Sequence, residues 1–227
     1  MDLSSILLLM DKTSSEIVTD GLIVYLDASK SASYPGTGST WYDISGNNNN
    51  GTLFNTPTFD TGKQGNLGFN GTNQYVNIPG NTATLSVMNR NSGEFWIKAS
   101  HIGNRVICEK GANLKMFFQP GNTVNDLFFA DYPSNTVSTK YADIFNNNWN
   151  HVVIVAGSGF NNIYLNGVLL NQAGLGFGAS NSQAIQLMGR NGGFCQPGNL
   201  GLFRVYNRAL SDQEVLQNYN ASKARFL

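Results

Sequence analysis

The last 27 residues constrain the fold more than any other stretch of this chain. Gly201-Leu-Phe-Arg-Val-Tyr206 has the aromatic and β-branched composition of a central strand. A four-residue link, Asn207-Arg-Ala-Leu210, then meets Ser211-Asp-Gln-Glu214. Ser-x-x-Glu predicts a capping box, in which Ser211 accepts from an orphan amide and Glu214 reaches back to the Ser211 amide. Leu210 before the cap and Val215 after it predict a hydrophobic staple that fixes the helix against whatever the strand packs on.

The rest of the chain reads as short strands. Leu22-Ile-Val-Tyr-Leu26 is an apolar run of strand length, followed by the largest loop, a Ser/Gly/Thr-rich connection through Pro35 to Trp41. Residues 67 to 78 hold two strand pieces around Asn70-Gly71. Residues 94–98, 105–108, 114–118 and 127–129 continue at the spacing of about ten residues expected of sandwiches. Asn166-Gly167 between apolar runs predicts a type I′ hairpin, because both central positions of that turn need positive φ. Residues 151–155, 162–165 and 168–170 are therefore expected as a three-strand meander, with 186–188 and 200–206 closing the sheets.

Composition supports an all-β class. About 30 Asn and 25 Gly supply turn residues for many connected strands. Hydrophobic residues at 41% suffice for a core, whereas the charged fraction of 12% is about half the usual share. No linker divides the 227 residues, so one domain is expected at 21–210, with an arm at 1–20 and a helix and tail at 211–227. Fourteen basic against fourteen acidic residues leave no electrostatic footprint for nucleic acid. Cys108 and Cys195 are too few for a disulfide framework and read as buried thiols.

The arm contains Ile6, Leu7, Leu8, Leu9 and Met10. Asp2 stands where a signal peptide carries positive charge, Asp11-Lys12 interrupts the run, and the run is too short to span a bilayer. Membrane insertion is not expected. Each of these side chains gains roughly 1.5–3 kcal/mol on full burial, so the arm is expected on a partner surface or folded back on its own sandwich.

Trp41-Tyr-Asp-Ile-Ser-Gly46-Asn47, residues 67 to 78, residues 94 to 98, Trp149-Asn-His151, Ile163-Tyr-Leu-Asn-Gly167 and the strand-to-helix ending occur in an order that resembles the laminin-G-like branch of the concanavalin A-like lectin/glucanase superfamily. The resemblance covers roughly residues 20 to 210 and implies a two-sheet antiparallel jelly roll. Members with the Tyr-Asn-Arg-Ala-Leu-Ser ending look like proteins of large tailed phages. The resemblance therefore implies a virion setting, with assembly in a host cytoplasm.

Glucanases share this architecture, and glycoside hydrolysis normally uses two carboxylates flanking the bond. The four Glu are Glu16 in the arm, Glu94 at a strand start, Glu109 at a strand end and Glu214 in the cap, and the ten Asp are scattered. The Glu-x-Asp-x-x-Glu strand of the related laminarinases is missing. His101 and His151 have no recognisable nucleophile motif beside them, and His151 after Trp149 looks structural by the resemblance. No enzyme is expected.

Two kinds of ligand site are expected instead. Many superfamily members hold a structural calcium ion, and Asp27, Asp43, Asn47 and Asn49 offer the oxygens a hard cation prefers. The same residues equally make Asx-turns that satisfy their own backbone. For sugars, Tyr34, Trp41, Tyr42 and Tyr132 lie in Asn- and Ser-rich loops and combine aromatic faces with amides. Trp41 equally serves as a plug at one end of the core.

The resulting expectation is a noncatalytic recognition or coat protein of a phage virion surface, as capsid decoration or in a tail fibre or baseplate. Its arm would dock on other virion proteins, with a homo-oligomer and a cell-surface glycan as further partners. A secreted or enzyme-associated carbohydrate-binding module, extracellular in location, is the alternative, and a glycoside hydrolase comes after it.

Overall fold

Alternation of inward apolar and outward polar side chains sorts the strands into two layers. In this computed structural model the first to sixth strands are β1 (Leu22–Asp27), β2 (Thr40–Trp41), β3 (Gly51–Phe54), β4 (Thr58–Asp60), β5 (Asn66–Asn70) and β6 (Tyr75–Ile78). The next six are β7 (Asn91–Ser100), β8 (Arg105–Lys110), β9 (Leu114–Gln119), β10 (Asp126–Asp131), β11 (Asn135–Lys140) and β12 (Asn146–Ala156). They are followed by β13 (Asn161–Leu165), β14 (Val168–Ala173), β15 (Ile185–Leu187), β16 (Pro197–Tyr206) and the helix α1 (Asp212–Phe226). The structure describes residues 16–227 apart from 63–64, 81, 83–90, 101–104, 111–113, 120–125, 132–134, 141–143, 145, 158, 174–182 and 192, and only the backbone of β9, β10, β11 and residue 173.

One sheet has the order β14-β13-β12-β7-β16-β5-β4, with β1 also paired to β16, and the other has the order β11-β10-β9-β8-β15-β6-β3-β2. All pairings between these strands are antiparallel. β16 is central, as its composition predicts. It pairs with β7 on one side, and on the other with β5 up to Leu200 and with β1 from Leu202. The change of neighbour falls at Gly201, whose carbonyl accepts from Ala28 N at 3.0 Å.

Between the layers, Phe95, Ile97, Val152, Ile154, Phe203 and Val205 of the first sheet meet Leu53, Val76, Ile78, Cys108, Ile185 and Leu187 of the second. Cys108 and Cys195 are free and buried. The meander β12–β13–β14 forms as expected, its turn set by Asn166 at φ 52° and Gly167 at φ 81°. Asn70-Gly71 differs. The strand pieces on either side of it lie in different sheets, so this is a corner rather than a hairpin. Asn70 Oδ1 holds the corner by accepting from Thr72 N at 2.8 Å, while Gln74 Oε1 accepts from Asn70 N at 2.8 Å.

The helix carries the predicted cap. Glu214 N donates to Ser211 Oγ at 3.3 Å and Ser211 N donates to Glu214 Oε2 at 2.8 Å. Leu210 and Val215 are buried in one cluster with Val153, Val155 and Tyr206, which is the staple. The helix lies on the outer side of the first sheet, so Trp96 is buried beneath α1 rather than between the sheets. Its ring stacks on Phe226 at 4.4 Å and its Nε1 donates to Ser222 Oγ at 2.8 Å, while Trp149 packs beside them.

Packing also begins earlier than Gly21. Val18 is buried, its N–H donates to Asn218 Oδ1 at 2.8 Å, and its carbonyl accepts from Tyr206 Oη at 3.0 Å. Ile6, Leu7, Leu8, Leu9 and Met10, the expected docking arm, lie outside the described residues. No helix among the described residues is long and apolar enough to cross a membrane.

Candidate functional site

The aromatic residues expected to meet a sugar do not form one platform. Trp41 is 0% and Tyr34 5% exposed, and both sit in the core between the sheets, where their faces are taken by neighbouring side chains. Tyr34 meets Phe59 edge-on at 5.0 Å and its hydroxyl donates to Gly38 O at 3.2 Å. The loop that carries these rings folds inward because it closes one end of the sandwich. Tyr42 is 46% exposed, and Tyr132 lies outside the described residues.

In the oxygen-rich loop the Asp43 carboxylate is taken up by the protein's own donors. Asp43 Oδ1 accepts from Tyr25 N at 2.8 Å and Ser45 N at 2.9 Å, and its Oδ2 accepts from Ser45 Oγ at 2.9 Å and Asn49 N at 2.9 Å. Both oxygens are thus engaged by protein donors, the Asx-turn arrangement. Asn47 and Asn49 spend their Nδ2 groups on the carbonyls of Leu22 and Ile23. Asp27 belongs to a different network, facing Arg225 Nη1 at 2.7 Å. Among the described residues no group of three or more His, Cys, Asp or Glu could hold a metal ion.

Glu94 and His151 come together, but under the helix. His151 Nε2 lies 2.9 Å from Glu94 Oε1, Arg204 Nη1 donates to the same oxygen at 2.6 Å, and Asn218 Nδ2 of α1 donates to Glu94 Oε2 at 2.8 Å. Glu94, His151 and Arg204 are buried. Burial alone would raise the Glu94 pKa; the Arg204 charge, then the His151 and Asn218 bonds, outweigh it and hold the carboxyl below its ordinary value. Burial would likewise lower the Arg204 value, yet Glu94 keeps it above the ordinary guanidinium range. With α1 seated no substrate reaches this group, and its chemistry is that of a latch between sheet and helix.

The outer side of the second sheet carries different chemistry. Since Leu53, Val76, Ile78, Ile185 and Leu187 point inward, alternation turns Thr52, Phe54, Tyr75, Asn77 and Gln186 outward. Cross-strand register then lines them up in two rows. Phe54 stands opposite Tyr75, and Thr52, Asn77, Gln186 and Glu109 follow one another across β3, β6, β15 and β8. Phe54 and Tyr75 stack at 4.5 Å with planes 6° apart, and Phe54 is 37% exposed. Gln186 Nε2 donates to Asn77 Oδ1 at 3.1 Å and to Asn191 Oδ1 at 2.7 Å. Arg190 Nη1 lies 3.5 Å from Glu109 Oε2, and its guanidinium sits 5.0 Å from the centre of the Phe194 ring, itself 43% exposed.

Backbone strain concentrates at the rim of this face. Asn55 and Thr56, directly after Phe54, have φ of 58° and 52°, while Met188, Asn191 and Phe194 in the loop after β15 have φ of 61°, 46° and 52°. Side chains as bulky as Thr, Met and Phe seldom adopt this region, and such strain persists only where neighbours enforce it. Gln74 does so on one side, donating from Nε2 to the carbonyls of Asn55 and Thr56 at 2.9 Å each. The face therefore presents a fixed stacked aromatic pair beside amides and an acid–base pair.

Sequence reasoning did not reach Phe54, Tyr75, Asn77, Gln186, Asn191 or Phe194 as site residues. The available signal was the alternation Tyr75-Val-Asn-Ile78, in which an aromatic and an amide share the face opposite two aliphatic side chains.

A family model for the concanavalin A-like lectin/glucanases superfamily matches residues 70–216. No curated protein matches the chain in sequence. Among solved structures, the chain is similar to the binding domain of Paraclostridial Mosquitocidal Protein 1, at 18% identity and a TM-score of 0.66, covering 88% of this chain and 52% of that one. It is similar to the receptor binding domain of botulinum neurotoxin C/D mosaic serotype, at 17% identity and a TM-score of 0.68, covering 89% and 51%. It is also similar to Trypanosoma rangeli sialidase in complex with sialic acid, at 16% identity and a TM-score of 0.67, covering 90% and 33%. The chain thus spans about half of the toxin domains and a third of the sialidase, and these likenesses concern the fold.

Proposed function

The chain belongs to the concanavalin A-like lectin/glucanases superfamily, and from that premise we propose that it is a noncatalytic recognition module that takes up a glycan on the outer side of its second sheet. The observation that carries this reading is the stacked Phe54–Tyr75 pair beside the Asn77–Gln186–Asn191 amide chain. A pyranose laid on the rings would place its hydroxyls within reach of those amides and of the Glu109–Arg190 pair. Binding without hydrolysis is supported by the placement of the glutamates. Glu94 is sealed beneath α1, Glu214 is held by Arg208 and Ser211, and Glu109 faces Arg190.

The setting in this proposal is a phage virion surface, with the apolar arm Ile6 to Met10 docked on another virion protein and the sandwich displayed. It rests on the Tyr206-Asn-Arg-Ala-Leu-Ser211 ending and on the cost of leaving five adjacent apolar side chains in water. Mass spectrometry and imaging of purified particles test the setting, and absence of the protein from particles would refute it. A glycan array tests the binding. Wild type should show a defined set of hits that Tyr75→Ala weakens by about tenfold or more, since an aromatic contact is worth on the order of 1 kcal/mol beyond its buried area. Hits that survive Tyr75→Ala and Phe54→Ala unchanged would place the ligand elsewhere.

A further inference from the structure

Of the seven large apolar side chains that stand exposed among the described residues, three cluster around the β13–β14 turn beside α1: Val168 at 67%, Leu169 at 42% and Leu216 at 44% exposure. Register fixes the side on which Leu169 stands. It lies opposite Tyr164, which packs in the outer cluster with Val215 of the helix and donates from its hydroxyl to Asp212 Oδ1 at 2.6 Å. Leu169 therefore faces the helix side, on the strand that ends the first sheet. Leu216 reaches toward it from α1. A Cβ added at Gly167 would lie 3.1 Å from Leu216 Cδ1 and 3.0 Å from Tyr219 Cδ1, and Val168 follows Gly167 at the start of β14. A groove with apolar walls thus runs between the flank of α1 and β14.

The chain itself carries an occupant. Glu16 O accepts from Gln217 Nε2 at 3.0 Å, so the arm joins the described chain beside the residue that follows Leu216. The six residue steps from Met10 to Glu16 span at most about 20 Å, and a helix with its side chains is about 10–12 Å across. Ile6 to Met10 can therefore cross α1 and reach the groove. A tether this short holds the run at an effective concentration in the millimolar range, far above that of a second copy in dilute solution. We propose that in the free chain Ile6 to Met10 seat in the groove formed by Val168, Leu169 and Leu216 of their own domain. Five adjacent apolar side chains and three exposed ones then leave water together, which is what favours the contact. The contact belongs to the chain before it meets a partner and goes beyond the virion reading, in which another protein later takes the arm.

A mutant cycle in the full chain, read by thermal unfolding, tests this. Changing Leu7, Leu8 and Leu9 together to Ser should lower the melting temperature by about 5 °C, and Leu216→Ser on the groove wall should lower it by a similar amount. The combined variant should lose little more than either alone, because each change already empties the groove. Should Leu216→Ser fail to fold, Leu169→Ser takes its place in the cycle. Fully additive losses, or an arm variant that melts as wild type does, would overturn the assignment. A photo-reactive benzophenone side chain in place of Leu8 gives the position directly: mass spectrometry should find it joined to residues 165–170 or 212–219, in a product of monomer mass. Capture elsewhere on the sandwich, or a product of twice that mass, would count equally against the contact. Particles that lack the protein would refute the virion setting and leave this contact standing, whereas additive losses in the cycle would remove the contact and leave the setting.

Discussion

Glu94 and Asn218 stand 124 positions apart in the chain and meet at 2.8 Å, a sheet carboxylate taking a hydrogen bond from the helix that covers it. The same carboxylate balances Arg204, so removing its charge strands a buried cation. Glu94→Gln should cost about 3–5 kcal/mol of unfolding free energy in urea denaturation. Adding Arg204→Met should recover part of that loss, because an apolar side chain in place of the cation no longer needs a counter-charge. A double variant as unstable as the single one would mean that packing, and not charge, sets the cost.

Acid should loosen the helix and its anchoring together. Glu94 is held below its ordinary value despite burial, and Glu214 is lowered to about 2, first by its Arg208 hydrogen bonds. A carboxyl depressed in the folded state stabilises fully above its unfolded value, near 4.5, and this contribution is lost as pH falls through the folded value. The melting temperature should therefore fall progressively between about pH 4.5 and pH 2. A flat profile across that window would show that neither carboxylate matters to folding.

At Gly201 the Phe226 ring of α1 lies directly against the sheet backbone. A Cβ added there would fall far inside contact with the Phe226 ring. Gly201→Ala should destabilise by about 1–3 kcal/mol and raise the near-ultraviolet signal changes of Trp96, since overpacking must lift Phe226 from the indole. Equal stability would show that the helix end shifts freely.

At the other end of the helix, Ser211→Ala removes half of the capping box and should cost about 1 kcal/mol in thermal or chemical unfolding. Retaining full stability would mean that Leu210 and Val215 alone fix the helix start.

Calcium added to the chelated protein should leave the melting temperature unchanged. Any ligand that binds only the folded state raises it by linkage, and the Asp43 oxygens already carry four protein donors. An upward shift would show that a cation displaces those donors.

Local signals were legible in proportion to how little they depended on distant partners. The Ser211–Glu214 cap, the Leu210–Val215 staple and the Asn166-Gly167 turn each involve neighbours within a few residues, and each formed as read. Asn70-Gly71 carried the same turn chemistry, but which sheet receives the next strand depends on pairings with β16 and β15 more than 100 residues later. The ring of Tyr34 read as a loop aromatic because nothing in its neighbourhood shows that the loop folds into the core, whereas Trp41 takes the place of a core plug that its motif position suggested. For the ligand face, Phe54 and Tyr75 gain meaning only from register, which brings two strands from different parts of the chain into line.

Glu16 O accepts from Gln217 Nε2 of α1 at 3.0 Å, so residues 16–18 and the helix lie together on one side of the sandwich, like the two legs of a bracket. Anything seated on these two segments approaches from the helix side, and the stacked rings of the second sheet face the opposite way. Neighbouring copies held by these segments on a common support would turn that face toward the surrounding medium without any change within the domain.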